Sequence, residues 1–163
     1  MHSLRAFSPL VVATAVALVG VNAETHTTIT LDNRCGYGTP MLIGQGGAVL
    51  STGGPYTSNG PLIGAIAYLQ TGGCGFNGEN CLLLETTLRN PPCAGCGSST
   101  DLSLISPHAF QVTTGFGYYN GCDGAGADCT NANCGTAFHQ PSDTFVQVAC
   151  QANDVNLAIT FCK

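Results

Sequence analysis

The chain has 163 residues, ten cysteines, a formal net charge of −5 and only 8% charged residues. It contains no basic run and no alternation of aromatic with basic residues, which excludes nucleic acid and an anionic membrane as partners. We predict a soluble monomer whose partner is neutral or cationic, with no cofactor.

Residues 1–23 are typical of a cleavable signal peptide. A weakly positive start is followed by an apolar run from Leu10 to Val21, and Val21-Asn22-Ala23 supplies the small residues of a cleavage site. The run is too short to span a bilayer. We therefore predict a secreted, extracellular protein that begins at Glu24 and forms one domain over residues 24–163.

The cysteines predict a disulfide framework. All ten lie beyond the signal peptide, and an oxidising compartment favours their pairing. Zinc is the rival use of the pair Cys93-x-x-Cys96, but no second such pair follows and the histidines lack finger spacing. The cysteines are at positions 35, 74, 81, 93, 96, 122, 129, 134, 150 and 162.

Short apolar runs with period-two alternation predict many short strands. They are rich in Thr, Val, Ile, Leu and Phe, and Gly-Gly and Asn-Gly pairs separate them. No window carries a helical stripe of ten or more residues, so the pattern indicates an antiparallel sandwich or barrel. In chain order the predicted strands are 28–31, 62–70, 81–89, 101–105, 109–116, 144–150 and 155–161.

Several cysteine neighbourhoods resemble the thaumatin-like family in its small form. The stretches "ITLDNRCGYGTP" and "NLAITFCK" resemble the family's first and last strands, "QTGGCGFNGENC" its next hairpin, and "DLSLISPHAFQV" its signature strand-turn-strand. The resemblance implies an all-β, disulfide-stapled, thaumatin-like antiparallel β-sandwich with no long helix. The chain also resembles small secreted basidiomycete proteins labelled glycopeptides, although it has no Asn-x-Ser/Thr sequon.

The same resemblance implies the disulfide connectivity. The family's final cysteine bridges back to its first, and the C-terminal approach carries two further bridges. Cys93 and Cys96 are then left to pair with each other. The implied pairs are Cys35–Cys162, Cys74–Cys81, Cys93–Cys96, Cys122–Cys150 and Cys129–Cys134.

Glu85 and Asp101 are the candidate catalytic residues. Thaumatin-like proteins often carry an acidic cleft of one Arg, one Glu and three Asp, credited with β-1,3-glucan binding and sometimes weak hydrolysis. Glu85 in "LLLETTL" and Asp101 in "TDLSL" match two of these positions. They sit on successive predicted strands, so antiparallel pairing can bring them together as the two carboxylates that glycoside hydrolysis needs. A single-residue change of register would instead put them on opposite faces.

The acidic cleft is incomplete in this chain. Small or apolar residues within "IGAIAYLQ" replace its Arg, Thr136 stands where an Asp is expected, and Ser or Thr replaces the Asp before Asp101. Losing the cation changes which carboxylate holds a proton. We therefore expect carbohydrate binding without substantial catalysis.

Aromatic and histidine side chains offer two other sites. Tyr118 and Tyr119 in "GFGYYNG" are candidate carbohydrate-binding residues, because a tyrosine on a rigid strand can stack on a sugar; alternation places one Tyr of this segment in the core. His26, His108 and His139 could form a copper site if His26 were the free N-terminus, but cleavage after Thr25 is unfavourable beside Ala23, so we predict no metal.

The sequence thus predicts a secreted protein that binds cell-wall polysaccharide of the β-glucan type. The alternatives are a weak endo-β-1,3-glucanase using Glu85 and Asp101, and an effector or defence protein that binds another protein.

Overall fold

A computed structural model describes residues 25–163 of the chain. The predicted signal peptide, residues 1–23, and its cleavage site lie outside the described residues.

The described chain is built from β-strands. Two short 3-10 turns, Gln45–Gly47 and Thr144–Val146, are its helical elements, and none of its helices is long and apolar enough to cross a membrane. The twelve strands are β1 His26–Asn33, β2 Thr39–Ile43, β3 Val49–Ser51, β4 Tyr56–Asn59, β5 Leu62–Gln70, β6 Leu83–Leu88, β7 Ser98–Ser103, β8 Thr114–Tyr119, β9 Gly126–Cys129, β10 Ala137–Phe138, β11 Val148–Cys150 and β12 Asn156–Phe161.

The strands form two sheets. The five-stranded sheet has the order β4-β1-β12-β8-β9, and the other has the order β10-β7-β6-β5-β2-β3 with β11 also paired to β7. Most neighbours are antiparallel, but β1 and β12 run parallel, as do β7 and β10. The first and last strands therefore lie side by side in the middle of one sheet.

Alternating side chains of both sheets meet in one hydrophobic core. Ile29 and Leu157 come from the five-stranded sheet, and Leu42, Leu84 and Leu102 come from the other; all are fully buried. Burying an aliphatic side chain of this size contributes roughly 1.5–3 kcal/mol. This shared core makes the two sheets a sandwich.

The outer face of the seven-stranded sheet is partly covered. Ile43, Tyr68 and Leu83 form a second apolar cluster there with Cys81. The Tyr68 hydroxyl donates to the carbonyl of Phe76, in the loop closed by the Cys74–Cys81 disulfide. This loop covers one part of the outer face, and a cleft lies over another part, on β6 and β7.

Five disulfides join all ten cysteines, and no cysteine in the described chain is free. They are Cys35–Cys162, Cys74–Cys81, Cys93–Cys96, Cys122–Cys150 and Cys129–Cys134, the pairs that the resemblance implies.

Several strand predictions are confirmed and others need correction. β5 has the predicted bounds, and β1, β6, β7 and β12 lie within two to three residues of theirs. Residues 109–113 are not a strand, because the Gln111 side chain bonds the backbone of Leu82 and Leu69 there, and the strand begins at 114. Segment 144–150 begins as a 3-10 turn. The sequence pattern does not predict β2, β3, β4, β9 and β10, which have two to five residues each.

Replacing Cys35 and Cys162 by serine should cost more stability than removing any other bridge. This bridge encloses a loop with a sequence separation of 127, against 3 for Cys93–Cys96. Loop-closure entropy predicts losses of about 5 and about 2 kcal/mol respectively. Guanidinium unfolding of the two double variants measures both. Equal losses of stability in the two double variants would contradict the dependence on loop length.

Candidate functional site

Glu85 and Asp101 face each other on the open part of the seven-stranded sheet. β6 pairs with β7 so that these two residues are directly opposed, as the sequence analysis expects. Directly opposed residues have Cβ atoms about 4.5–5.5 Å apart. Their sequence neighbours Leu84, Thr86, Thr100 and Leu102 point into the core and are buried. Alternation therefore forces both carboxylates onto the outer face.

The two carboxylates lie in a cleft with a volume of about 380 Å³. The residues that β6 and β7 contribute are polar, and the segments after β7 and around β10 add the apolar Ile105, Phe138 and Pro141. The lining residues are Gly64, Glu85, Thr86, Thr87, Ser99, Asp101, Ile105, Phe138, Pro141 and Gln147.

A bulge in β5 shapes one border of the cleft. The register between β5 and β6 shifts between Leu62 and Ala65, and Gly64 has a φ of 59°, which favours glycine. The Gly64 amide donates to Oγ1 of Thr87 on β6. The space above Gly64 is open, since a Cβ there would contact nothing within 4 Å. The bulge thus keeps the β5 side of the cleft free of side chains.

Asp101 is buried next to a like charge. Its side chain is 7% exposed, Oδ1 accepts a long hydrogen bond of 3.5 Å from Nε2 of Gln147, and Oδ2 has no partner among the described residues. Burial, and then the charge of Glu85, raise the pKa of Asp101 to about 7, and the Gln147 bond opposes this. Asp101 can therefore serve as a proton donor near neutral pH, beside an exposed Glu85.

The Tyr118 side chain lies inside the sandwich, behind the site. It is 3% exposed, and its hydroxyl is 2.9 Å from Oγ1 of Thr100 and donates to the carbonyl of Val148 at 3.0 Å. Thr100 in turn bonds Thr86. Burial raises the pKa of Tyr118 to about 12, so the hydroxyl stays protonated. Alternation along β8 turns the ring of Tyr118 into the core, so the prediction that Tyr118 contacts carbohydrate is wrong.

The remaining candidates are not among the residues that line the cleft. Tyr119 is half-buried and pairs with Asn156 at the end of β8. His108 and His139 each place a ring nitrogen 2.9 Å from a backbone carbonyl, of Gly78 and Cys134 respectively. Among residues 25–163 no group of three His, Cys, Asp or Glu side chains is arranged to hold a metal ion.

Sequence reasoning missed several residues of the cleft. Strand pairing places Ser99 at the cleft, with a buried Oγ that lacks a partner. The segment before β11 brings Gln147 to Asp101. No local pattern identifies them. Gly64 did carry a signal, because an isolated glycine within a strand pattern indicates a bulge.

Comparison with known proteins identifies the fold. No family model and no curated protein sequence matches the chain. Among solved structures, the thaumatin-like xylanase inhibitor TLXI is similar, with a TM-score of 0.51 and 19% sequence identity over 84% of this chain and 99% of the inhibitor. The chain thus has the thaumatin-like, disulfide-rich all-β fold.

Asp101 should make the stability of the protein fall as the pH rises from about 4 to about 7. The folded carboxyl keeps its proton up to about pH 7, whereas the unfolded one releases it near its ordinary pKa of 3.8. The folded state therefore binds more protons in this interval, and the free energy of unfolding falls by at most about 4 kcal/mol. Urea unfolding at several pH values measures the slope.

D101N should remove this component of the pH dependence. Asp123→Asn, which neutralises an exposed carboxylate away from the cleft, is the matched control and should keep the wild-type slope. Parallel curves for D101N and the wild type would contradict the assignment.

Proposed function

We propose that the protein is an extracellular carbohydrate-binding protein and that a β-linked cell-wall polysaccharide, such as β-1,3-glucan, binds in the cleft around Glu85 and Asp101. The observation that carries this proposal is the juxtaposition of an apolar wall with polar groups that lack partners. Ile105, Phe138 and Pro141 lie beside Asp101 and Ser99 in one open cleft.

The chemistry of a sugar matches this arrangement. A pyranose ring has apolar C–H faces and a rim of hydroxyls, each of which can donate and accept. A protonated Asp101 can donate to a hydroxyl and Glu85 can accept from one. A volume of about 380 Å³ is within the range of small-ligand pockets, about 300–1,000 Å³.

An extracellular location is part of the proposal. Five disulfides persist in an oxidising compartment, and the predicted signal peptide would direct the chain there. The similar structure is named as a xylanase inhibitor, so binding of an extracellular protein is the competing outcome.

The wild-type protein should be retained on insoluble β-1,3-glucan in a pull-down that also includes chitin and cellulose. The E85Q/D101N double variant should lose most of that retention, because it lacks both carboxylates of the cleft. Asp123→Asn should bind like the wild type. No retention on any of the three polysaccharides would refute the proposal. Retention that survives in the double variant but not in Tyr119→Ala would move the site to β8.

Glycoside hydrolysis is the second candidate function, favoured by the pKa of about 7 at Asp101 directly across from Glu85. Asp101 would protonate the glycosidic oxygen, and Glu85 would act as nucleophile or base. Retaining glycosidases hold their two carboxyl groups about 5–5.5 Å apart. The lack of a cation among the described residues of the cleft argues for binding over turnover.

We expect no substantial release of reducing ends from β-1,3-glucan. Release by the wild type that is lost in both E85Q and D101N would establish the hydrolase. Release that persists in the double variant would exclude these two residues as its catalytic pair.

A further inference from the structure

The carboxylate pair of the cleft has no compensating cation. The described residues that line the cleft include no lysine, arginine or histidine. The basic side chains of residues 25–163 bond elsewhere. Arg34 pairs with Asp32 at 2.7 Å, Lys163 pairs with Asp128 at 2.6 Å, and Arg89 donates to the carbonyl of Cys96. The charge of Glu85, and that of Asp101 once it loses its proton, is therefore left for a ligand to balance.

Two buried polar atoms with no hydrogen-bond partner in the described chain belong to residues that line this cleft. Oδ2 of Asp101 and Oγ of Ser99 are both buried without a hydrogen bond. They lie two residues apart on the same face of β7, roughly 7 Å along the strand. Glu85, exposed on β6 opposite Asp101, makes no hydrogen bond within residues 25–163. A buried polar atom left without a partner is costly, so a ligand that reaches Asp101 and Ser99 with donors gains from both, and the exposed Glu85 attracts its positive charge.

We infer that the cleft prefers glycans with a free amino group, and that a sugar ammonium binds between Glu85 and Asp101 and within reach of Ser99. This inference rests on the proposed function, because it names the ligand class of the same cleft.

An ammonium group fits these acceptors better than a hydroxyl does. It brings three N–H donors and a full positive charge, and hydrogen bonds between charged partners are roughly twice as strong as neutral ones. An N-acetylated sugar offers one amide N–H and no charge. The apolar wall of Ile105, Phe138 and Pro141 suits the C–H face of a sugar ring, which an unbranched lysine side chain lacks.

Binding of such a cation is coupled to the proton on Asp101. The titratable groups that face Asp101 are Glu85 on β6 and, behind the sheet, the Tyr118 hydroxyl. The segment that carries Gln147 adds His139 and Asp143, which bond to each other through the His139 amide. Below about pH 7 Asp101 is mostly protonated in the free protein. An arriving ammonium favours the carboxylate, so the proton leaves to solvent as the ligand binds.

Isothermal titration of the full protein with a β-1,4-linked glucosamine oligomer tests this inference. The N-acetylglucosamine oligomer of the same length is the neutral control, and both are titrated at about pH 6 in two buffers of different ionisation enthalpy. We expect the amino oligomer to bind at least about tenfold more tightly. Its binding should release roughly one proton, and that of the acetylated oligomer none.

D101N should abolish the proton release and most of the preference. E85Q should weaken the preference for the amino oligomer and leave the fold intact, because Glu85 is exposed. It is therefore the test variant if D101N fails to fold. Asp123→Asn should behave like the wild type.

The outcomes separate this inference from the proposed function. If the wild type binds both oligomers with equal affinity and D101N binds neither, the amino-sugar preference is wrong. The assignment of the cleft as a glycan-binding site then still stands. A preference retained in both D101N and E85Q overturns the assignment to this carboxylate pair. Trilysine that binds as tightly as the amino oligomer overturns the glycan as ligand. If no glycan binds in either experiment, the proposed function itself is wrong.

Discussion

The parallel pairing of the first and last strands is the constraint on which the rest of the fold depends. β1 lies against β12 from Ile29–Leu157 to Asn33–Phe161, and the Cys35–Cys162 bridge closes just beyond that pairing. The two central strands of the five-stranded sheet thus come from opposite ends of the described chain. Their inner side chains form one wall of the core only after this long loop has closed, and the seven-stranded sheet packs against that wall. The Cys35–Cys162 bridge already joins the ends of this loop in the unfolded chain. Folding therefore loses little further conformational entropy when it closes the loop.

The pairing of β6 with β7 creates both a core layer and one wall of the cleft. On the inner face Thr86 and Thr100 bond each other and meet the Tyr118 hydroxyl, which satisfies polar groups between the sheets. On the outer face Glu85 stands opposite Asp101. A shift of one residue would move the carboxylates into the core and the threonines outward. The buried hydroxyl network therefore also fixes the register that places the carboxylates together.

The charge of the cleft follows from what surrounds Asp101. A buried carboxyl beside a second carboxylate, with one long bond from Gln147, holds its proton to about pH 7. The free protein thus presents a neutral acid next to an exposed charge. In the proposed function a neutral sugar would meet a donor and an acceptor there, whereas a cationic sugar would displace the proton and meet two carboxylates. Both proposals depend on this one buried group.

The sequence by itself determined the fold class, the strand Leu62–Gln70 and the placement of Glu85 and Asp101 on adjacent strands. These features depend on local alternation and on short motifs around the cysteines, which are contiguous in the chain. Only the tertiary structure decided that Tyr118 points inward, that residues 109–113 are irregular and that Ser99, Gln147 and Phe138 complete the cleft. Strands of two to five residues, such as β2 and β10, carry too little periodicity to be recognised. The burial of Asp101, and with it the protonation state of the site, arises from side chains that are distant in sequence and meet only when the sheets and their connecting segments pack.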